Sequence, residues 1–230
     1  MKYILLGLML WFSSAALAQD GFIAAYHPFP TAKKIAVRAC QANYNGLTCP
    51  HGRVLTRRTA QTELQLRLEL FGTSYPIAFK TMPAYLDSAW NADLNRDGKA
   101  DVIIKITWGG NGIAGDGNLT VFALSSQTGY RLTTLSSLTF DPDALIFLRG
   151  KPTILHTSLL SADSSKTGRI HSFWVFYPLE IRGSQILRNT APIWIQYTFT
   201  PSHRRTNKLL ALDKTRALRQ APVYIFEPMR

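Results

Sequence analysis

The clearest pattern of hydrophobic and polar positions is a strict alternation over residues 62–70. Leucine occupies every second position from 64 to 70, and glutamate, glutamine and arginine stand between the leucines. A period of two puts alternate side chains on opposite faces of a strand, whereas a helix needs apolar positions three and four apart. The segment therefore predicts a half-buried β-strand, which the turn Gly72-Thr73-Ser74 ends.

Short runs rich in β-branched and aromatic residues continue along the chain, separated by Ser, Gly, Asn and Pro. Such runs predict further strands, and they cover residues 75–80, 102–106, 119–124, 130–132, 145–148, 153–157, 172–177, 179–181 and 193–199. Residues 211–219 and 31–42 suggest short helices. The predicted fold is all-β and mainly antiparallel. It is either a partial propeller-like meander or a β-sandwich, with short peripheral helices.

A weak internal repeat is also predicted. Gly98-Lys99 opens one series of strand, polar loop and hairpin, and Gly150-Lys151 opens a similar series. A spacing on the order of 50 residues suits four-stranded propeller blades or paired β-meanders.

The first 18 residues have the organisation of a secretory signal peptide. Lys2 precedes an apolar run over residues 4–12, and Ala16-Leu17-Ala18 matches the small-x-small cleavage pattern. The run is short for a membrane anchor, and no later apolar run approaches the length of a spanning helix. We therefore expect cleavage near Ala18/Gln19, export to the periplasm or the exterior, and no transmembrane segment in the mature chain.

The two cysteines, Cys40 and Cys49, agree with export. The residues between them contain Asn45-Gly46, a turn signal, so a disulfide can close this small loop in an oxidising compartment. A metal pair or a catalytic thiol is the alternative, but His51 is the one extra ligand nearby and no nucleophile motif is present. The predicted organisation is a basic segment over 19–62 that carries this loop, followed by a β-rich domain over 63–230.

Residues 93–101 form the motif with the most definite chemistry. Oxygen-bearing side chains stand at loop positions 1, 3, 5 and 9, and Gly98 stands at position 6, where a sharp turn would be needed. Calcium takes six to eight hard oxygen ligands. The predicted ligands are the side chains of Asp93, Asn95, Asp97 and Asp101 and the carbonyl oxygen of Lys99. The alternative is an Asx-rich turn without a metal, because Asp, Asn and Gly favour turns in any case.

Residues 90–104 resemble the calcium loops of FG-GAP and VCBS-type repeats, which are found in integrin-like β-propellers. An EF-hand would need a glutamate where Ile104 stands, within a β-branched run. The resemblance implies a structural calcium ion that orders a loop between two strands. The loop occurs once in this sequence, and Asp141-Pro142-Asp143 is predicted as a remnant of a second copy.

Composition and charge limit the classes of function that the chain can have. The chain is 46% hydrophobic and 17% charged, which excludes wholesale disorder, and its formal net charge is +12. Residues 31–62 contain six basic residues and no acidic one, and the densest basic patch contains Arg204, Arg205 and Lys208. We expect the patch to bind an anionic envelope polymer, a glycan or an acidic protein. Specific nucleic-acid binding is not expected of an exported protein.

The sequence favours a binding protein over an enzyme. The predicted function is that of an exported, calcium-stabilised β-rich binding or interaction protein. The alternative is a secreted hydrolase whose site is assembled from distant residues, with His156 and His171 as candidates. Aromatic residues near the C-terminus could stack on sugar rings or belong to the core; they are Phe173, Trp174, Phe176, Tyr177, Trp194 and Tyr197.

Overall fold

Three antiparallel sheets form the described part of the chain in the computed structural model. The structure describes residues 29, 31–60, 63–79, 84–108, 117–137, 140–164, 170–188, 194–197, 208–209 and 225–226. Residues 1–18, residues 211–219, Arg204 and Arg205 lie outside this set, so the predictions made for them stay predictions.

The described strands range from 2 to 14 residues in length, and a 3₁₀ turn lies between two of them at Pro142–Ala144. In chain order they are β1 (Lys33–Lys34), β2 (Arg38–Ala39), β3 (Gln41–Asn43), β4 (Gly46–Cys49), β5 (Gly52–Ala60), β6 (Glu63–Leu70), β7 (Thr73–Phe79), β8 (Ala84–Ala92), β9 (Asp101–Trp108), β10 (Gly117–Ser126), β11 (Gly129–Ser137), β12 (Leu145–Leu148), β13 (Lys151–Ser164), β14 (Ile170–Arg182), β15 (Gln185–Arg188), β16 (Trp194–Tyr197), β17 (Lys208–Leu209) and β18 (Ile225–Phe226).

Each sheet contains a run of consecutive strands that pair as an antiparallel meander. The N-terminal sheet has the order β3-β4-β5-β6-β7, and the central sheet has the order β18-β11-β10-β9-β8-β2. The C-terminal sheet has the order β1-β12-β13-β14-β16-β17, and β15 also pairs with β14. The predicted all-β, mainly antiparallel class is confirmed, and every predicted strand overlaps a strand of the structure.

The central sheet is buried on both faces. Val102 and Ile104 pack into one core with residues of the N-terminal sheet, whereas Ile103 and Phe122 pack into another with residues of the C-terminal sheet. Successive residues of a strand point to opposite faces, so a strand covered on both sides needs a continuous apolar run. The described residues thus form three stacked meanders, which is one sheet more than a two-sheet sandwich has.

The N-terminal sheet has one buried and one solvent-exposed face. Leu66, Leu68 and Leu70 of β6 are at most 2% exposed, whereas Arg67 between them is exposed. This is the result that the period-two pattern predicts. The outer face therefore offers a row of polar side chains to solvent.

The prediction of a short helix over residues 31–42 is wrong. These residues instead contribute an edge strand to each sheet in turn: β1 pairs with β12, β2 with β8 and β3 with β4. Ile35 is buried, and its backbone N–H donates to the carbonyl of Leu145 at 2.9 Å. Pairing with three existing sheet edges outweighs the modest helix propensity of a segment rich in alanine and lysine. Among the described residues there is no helix of seven or more residues, so the peripheral helices are not seen there.

The predicted disulfide between Cys40 and Cys49 is present. The two Cα atoms are 4.5 Å apart, and the residues are separated by nine positions in sequence. Cys40 lies between β2 and β3, and its N–H donates to the carbonyl of Ala89 at 2.9 Å. Cys49 ends β4 and is 5% exposed. The disulfide thus holds the connection between the central and N-terminal sheets.

Replacement of both cysteines by alanine should lower the free energy of unfolding by about 2–3 kcal/mol, because the unfolded chain then loses a loop-closing constraint. Urea unfolding of the variant and the wild type, both without reductant, measures the difference. Reductant should produce a similar loss in the wild type and leave the variant unchanged. A variant as stable as the oxidised wild type would contradict the prediction.

The predicted division between residues 62 and 63 lies at the connection of a β-hairpin. Strand β5 pairs with β6 along most of its length, from Gly52 opposite Leu70 to Ala60 opposite Glu63. The basic residues of β5 therefore belong to the same sheet as the alternating strand β6. Within the described ranges, no helix is long and apolar enough to cross a membrane.

Candidate functional site

The loop from Asp93 to Ala100 connects β8 to β9 in the central sheet. Its backbone takes the left-handed conformation at Arg96, with φ of 62°, and at Gly98, with φ of 81°. No atom would crowd a Cβ at Gly98, so glycine is favoured there because of the backbone angle and not because space is short. Gly98, at loop position six, thus allows the sharp turn that the sequence predicts.

In the exposed half of the loop, side-chain oxygens accept hydrogen bonds from the loop's own amides. Asp93 accepts from the N–H groups of Asp97 and Gly98, both at 3.1 Å. Asn95 Oδ1 accepts from Asp97 N–H at 3.1 Å, and Asp97 accepts from Lys99 N–H at 2.9 Å. Because Asp93 Oδ1 and Asn95 Oδ1 share one amide donor, these two oxygens lie close together. The alternating positions therefore turn inward as predicted.

Asp101 forms the buried base of the loop and is 0% exposed. Its Oδ1 accepts from Ser125 N–H at 2.7 Å. Its Oδ2 accepts from Leu94 N–H at 2.6 Å and from Asn95 N–H at 3.3 Å. Burial raises the pKa of this carboxyl to about 6, and the hydrogen bonds from these amides oppose that rise. The charged form is still the main one at pH 7.

Ser125 of β10 holds the loop against the neighbouring strand. Its hydroxyl donates to Asp97 at 2.7 Å, and its carbonyl accepts from the side-chain amide of Asn95 at 3.0 Å. Partial desolvation raises the pKa of Asp97, but the hydrogen bonds from Ser125, Lys99 and Asn95 and the charge of Lys99 lower it by more. Asp97 is therefore a carboxylate at neutral pH, as a calcium ligand must be.

The residues fit a calcium ion in part. Asp93, Asn95 and Asp97 are oxygen-bearing side chains at the accessible mouth of the loop, and a carboxylate oxygen that accepts one hydrogen bond keeps a second lone pair. Asp101 faces the core, and both its carboxylate oxygens already accept hydrogen bonds from backbone amides. In the part of the chain described here, no group of three or more His, Cys, Asp or Glu side chains is placed to hold a metal. The geometry favours Asp101 as the anchor of the loop.

The loop lies where the three sheets meet. Arg96 reaches the C-terminal sheet, where its guanidinium lies 4.2 Å from the ring centroid of Phe147. On the other side, the hydroxyl of Tyr130 donates to the carbonyl of Ala100 at 2.9 Å, and the Tyr130 ring lies 6.3 Å from that of Phe71 in the N-terminal sheet. Burial raises the pKa of Tyr130 to about 12, so this hydroxyl keeps its proton to donate. An ordered loop therefore stabilises the contacts of the central sheet with both neighbouring sheets.

The segment Asp141-Pro142-Asp143 does not occupy the place of this loop. It precedes β12, where Asp141 caps the 3₁₀ turn by accepting from Asp143 N–H at 2.9 Å. Asp143 forms an ion pair with Lys34 at 2.6 Å. Loop 93–101 instead follows β8, and the connection that follows β12 is the turn at Arg149 and Gly150. The two acidic segments thus have different roles in their sheets.

The other sequence candidates divide into core residues and residues outside the description. His156, Phe176 and Tyr177 are at most 5% exposed. Burial, together with the positive charge of Arg188, lowers the pKa of His156 to about 4. The backbone of Lys208 lies in β17, but its side chain is outside the described set, as are the side chains of His171, Phe173, Trp174, Trp194 and Tyr197.

Sequence reasoning missed an aromatic cluster formed by His51, Phe71 and Tyr130. The rings of His51 and Phe71 are 5.6 Å apart and near parallel, at 13°, and those of Phe71 and Tyr130 are also near parallel, at 9°. His51 and Phe71 line a cleft of about 560 Å³. The available signal was Phe71-Gly72, a bulky aromatic residue in the turn that ends an alternating strand.

The fold and the loop define an all-β protein of three stacked antiparallel sheets, with a hydrogen-bonded Asp/Asn loop where the sheets meet. Comparison of the chain with protein-family models, curated proteins and solved structures finds no match. The likeness of residues 90–104 to FG-GAP and VCBS-type loops therefore rests on the loop sequence. Function has to be argued from the geometry of the site.

Proposed function

We propose that this chain is an exported β-rich binding protein whose loop 93–101 is stabilised by calcium. The observation that carries the proposal is the position of the loop, where the three sheets meet. Asp93, Asn95 and Asp97 would hold the ion, with the carbonyl of Lys99 as a further ligand. The ion would supply order and not catalysis, because it would fix a connection that Ser125, Tyr130 and Arg96 attach to the surrounding strands.

The partner we propose is an anionic envelope polymer, a glycan or an acidic protein. The net charge of +12 supports attraction to an anionic surface, and the segment with Arg204, Arg205 and Lys208 is the densest basic patch of the sequence. The signal-peptide pattern of residues 1–18 supports export. A hydrolase is less well supported, because His156, one of its two candidates, is buried and 4% exposed.

Millimolar calcium should raise the melting temperature of the protein. With a dissociation constant of about 10⁻⁴–10⁻³ M, 10 mM calcium adds about 1–3 kcal/mol to the free energy of unfolding. Differential scanning calorimetry of chelator-treated protein, with and without calcium, measures the shift, and an Asp93→Asn, Asp97→Asn double variant should lose it.

Asp143→Asn is the matched control, because it removes a partly exposed carboxylate from a different turn and should keep the calcium response. An equal rise in the double variant and the wild type would place the ion elsewhere. No rise in the wild type, with no heat of binding in a calorimetric titration, would reduce the loop to an Asx turn without a metal.

A further inference from the structure

A second site lies on the solvent-exposed face of the N-terminal sheet, apart from the loop. It is the cleft of about 560 Å³ between the outer face of β4–β7 and the turns at its end. This volume lies within the range of small-ligand pockets, roughly 300–1,000 Å³. We call it the aromatic cleft; its lining includes Thr48, His51, Arg53, Glu69, Phe71 and Ser74.

The floor of the aromatic cleft is a row of polar side chains that crosses four strands in register. Thr48 pairs with Arg53, Arg53 with Glu69 and Glu69 with Ser74. Residues that are directly opposite in an antiparallel pair share a face of the sheet. Arg53 donates to Glu69, and Glu69 also pairs with Arg67 at 3.0 Å. The floor thus offers fixed donors and acceptors with its carboxylate already paired.

The wall of the aromatic cleft is Phe71, which is 65% exposed. Phe71 and Gly72 form a two-residue hairpin turn with φ of 47° and 82°. A turn with positive φ at both positions favours Asn-Gly, and a bulky aromatic residue there is strained. Most of the ring gains no burial in return. The ring stacks on His51 and Tyr130 but stays largely exposed, and strain that is kept for a solvent-facing ring points to a function for the side chain.

We propose that the aromatic cleft binds a neutral saccharide. One pyranose ring would lay its C–H face on Phe71, and its hydroxyl groups would bind Arg53 and Glu69. Aromatic faces with convergent donors and acceptors suit a sugar, which carries apolar C–H faces and polar edges. An apolar peptide would leave the polar floor unpaired. This inference rests on the proposed binding function, and it names the ligand class.

Isothermal titration of the purified protein with chitotetraose, cellotetraose and maltotetraose tests the proposal. We expect at least one of these to bind, and Phe71→Asn to weaken that binding by about tenfold or more, because the ring contact is lost. Asparagine tolerates the left-handed backbone, so the variant should keep the fold, and its melting curve verifies this. Glu69→Gln should also weaken binding.

The matched control is Arg149→Asn. Arg149 and Gly150 form the equivalent two-residue turn of the C-terminal sheet, with φ of 54° and 79°. Arg149→Asn therefore makes a comparable substitution in the same type of turn, at a residue that does not line the aromatic cleft. This variant should bind the saccharide as the wild type does. Tyr44→Ala provides a second control, since Tyr44 is a fully exposed aromatic residue outside the cleft lining.

Three results would overturn the proposal: no binding of any of the three probes in the millimolar range, equal affinity in Phe71→Asn and the wild type, or salt-sensitive binding of polygalacturonate alone. Titrations in calcium and in chelator separate this site from the loop. Saccharide binding without a calcium response would count against the calcium loop alone. A calcium response without saccharide binding would count against the aromatic cleft alone.

Discussion

Replacing Asp101 by asparagine is expected to lower the free energy of unfolding by about 3 kcal/mol. The carboxylate accepts from three backbone amides, at 2.6, 2.7 and 3.3 Å, and it is wholly buried. Asparagine has nearly the same size but presents an N–H₂ group to at least one of these donors. The amides of Leu94 and Ser125 are buried, so whichever of them faces the N–H₂ group loses its acceptor and cannot turn to water instead.

Urea unfolding at pH 7.5 measures this effect, because the carboxylate of Asp101 is ionised there in both the folded and the unfolded state. Asp93→Asn is the matched control: it makes the same chemical change in the same loop, at a side chain that solvent reaches. In chelator the control should lose less than about 1 kcal/mol, since water can replace exposed hydrogen bonds. Equal losses in the two variants would show that Asp101 is not the anchor of the loop.

The second large effect is a loss of stability on acidification. Burial and the charge of Arg188 hold the pKa of His156 at about 4, against an ordinary value of 6.5. Between these values the unfolded chain binds a proton that the folded protein does not bind. Stability therefore rises with pH across this window, and it falls as the pH is lowered from 6.5 through 4. The shift corresponds to about 3 kcal/mol.

Urea unfolding at a series of pH values between 4 and 7 measures the slope for the wild type and for His156→Gln. The raised pKa of Asp101 contributes with the opposite sign between 3.8 and about 6, because its folded state holds the proton more tightly. Asp101 is present in both proteins, so the difference between their slopes isolates the histidine. Equal slopes for His156→Gln and the wild type would refute the assignment.

Much of the loop was predictable because its chemistry is local. Oxygen side chains at alternating positions, followed by a glycine, specify the turn and its inward-facing groups, and the structure has both. The role of Asp101 was not predictable in the same way. Its main acceptor contact outside the loop is the amide of Ser125, which lies 24 residues further along the chain. A motif read in sequence treats Asp93 and Asp101 alike, although one is exposed and the other is buried.

The same limit explains why the aromatic cleft could not be predicted from the sequence. His51 lies in the turn between β4 and β5, Phe71 in the turn between β6 and β7, and Tyr130 at the start of β11. No pattern in the sequence connects them, because strand pairing and sheet stacking bring them together. The failed helix prediction at residues 31–42 has the same cause. The sheet edges that this segment joins are built from residues far away in the chain, so local propensity decided little there.

The sequence by itself determined the antiparallel all-β class, the disulfide, the turn at Gly98 and half of the described strands, which are β6, β7, β9–β14 and β16. These features depend on alternation, β-branched runs and neighbouring residues, which act over a few positions. Only the tertiary structure decided that the central sheet is covered on both faces, that Asp101 anchors the loop and that Phe71 faces a polar row. Those features depend on which sheet faces pack together, and the free energy of that packing comes from contacts between residues that are distant in sequence.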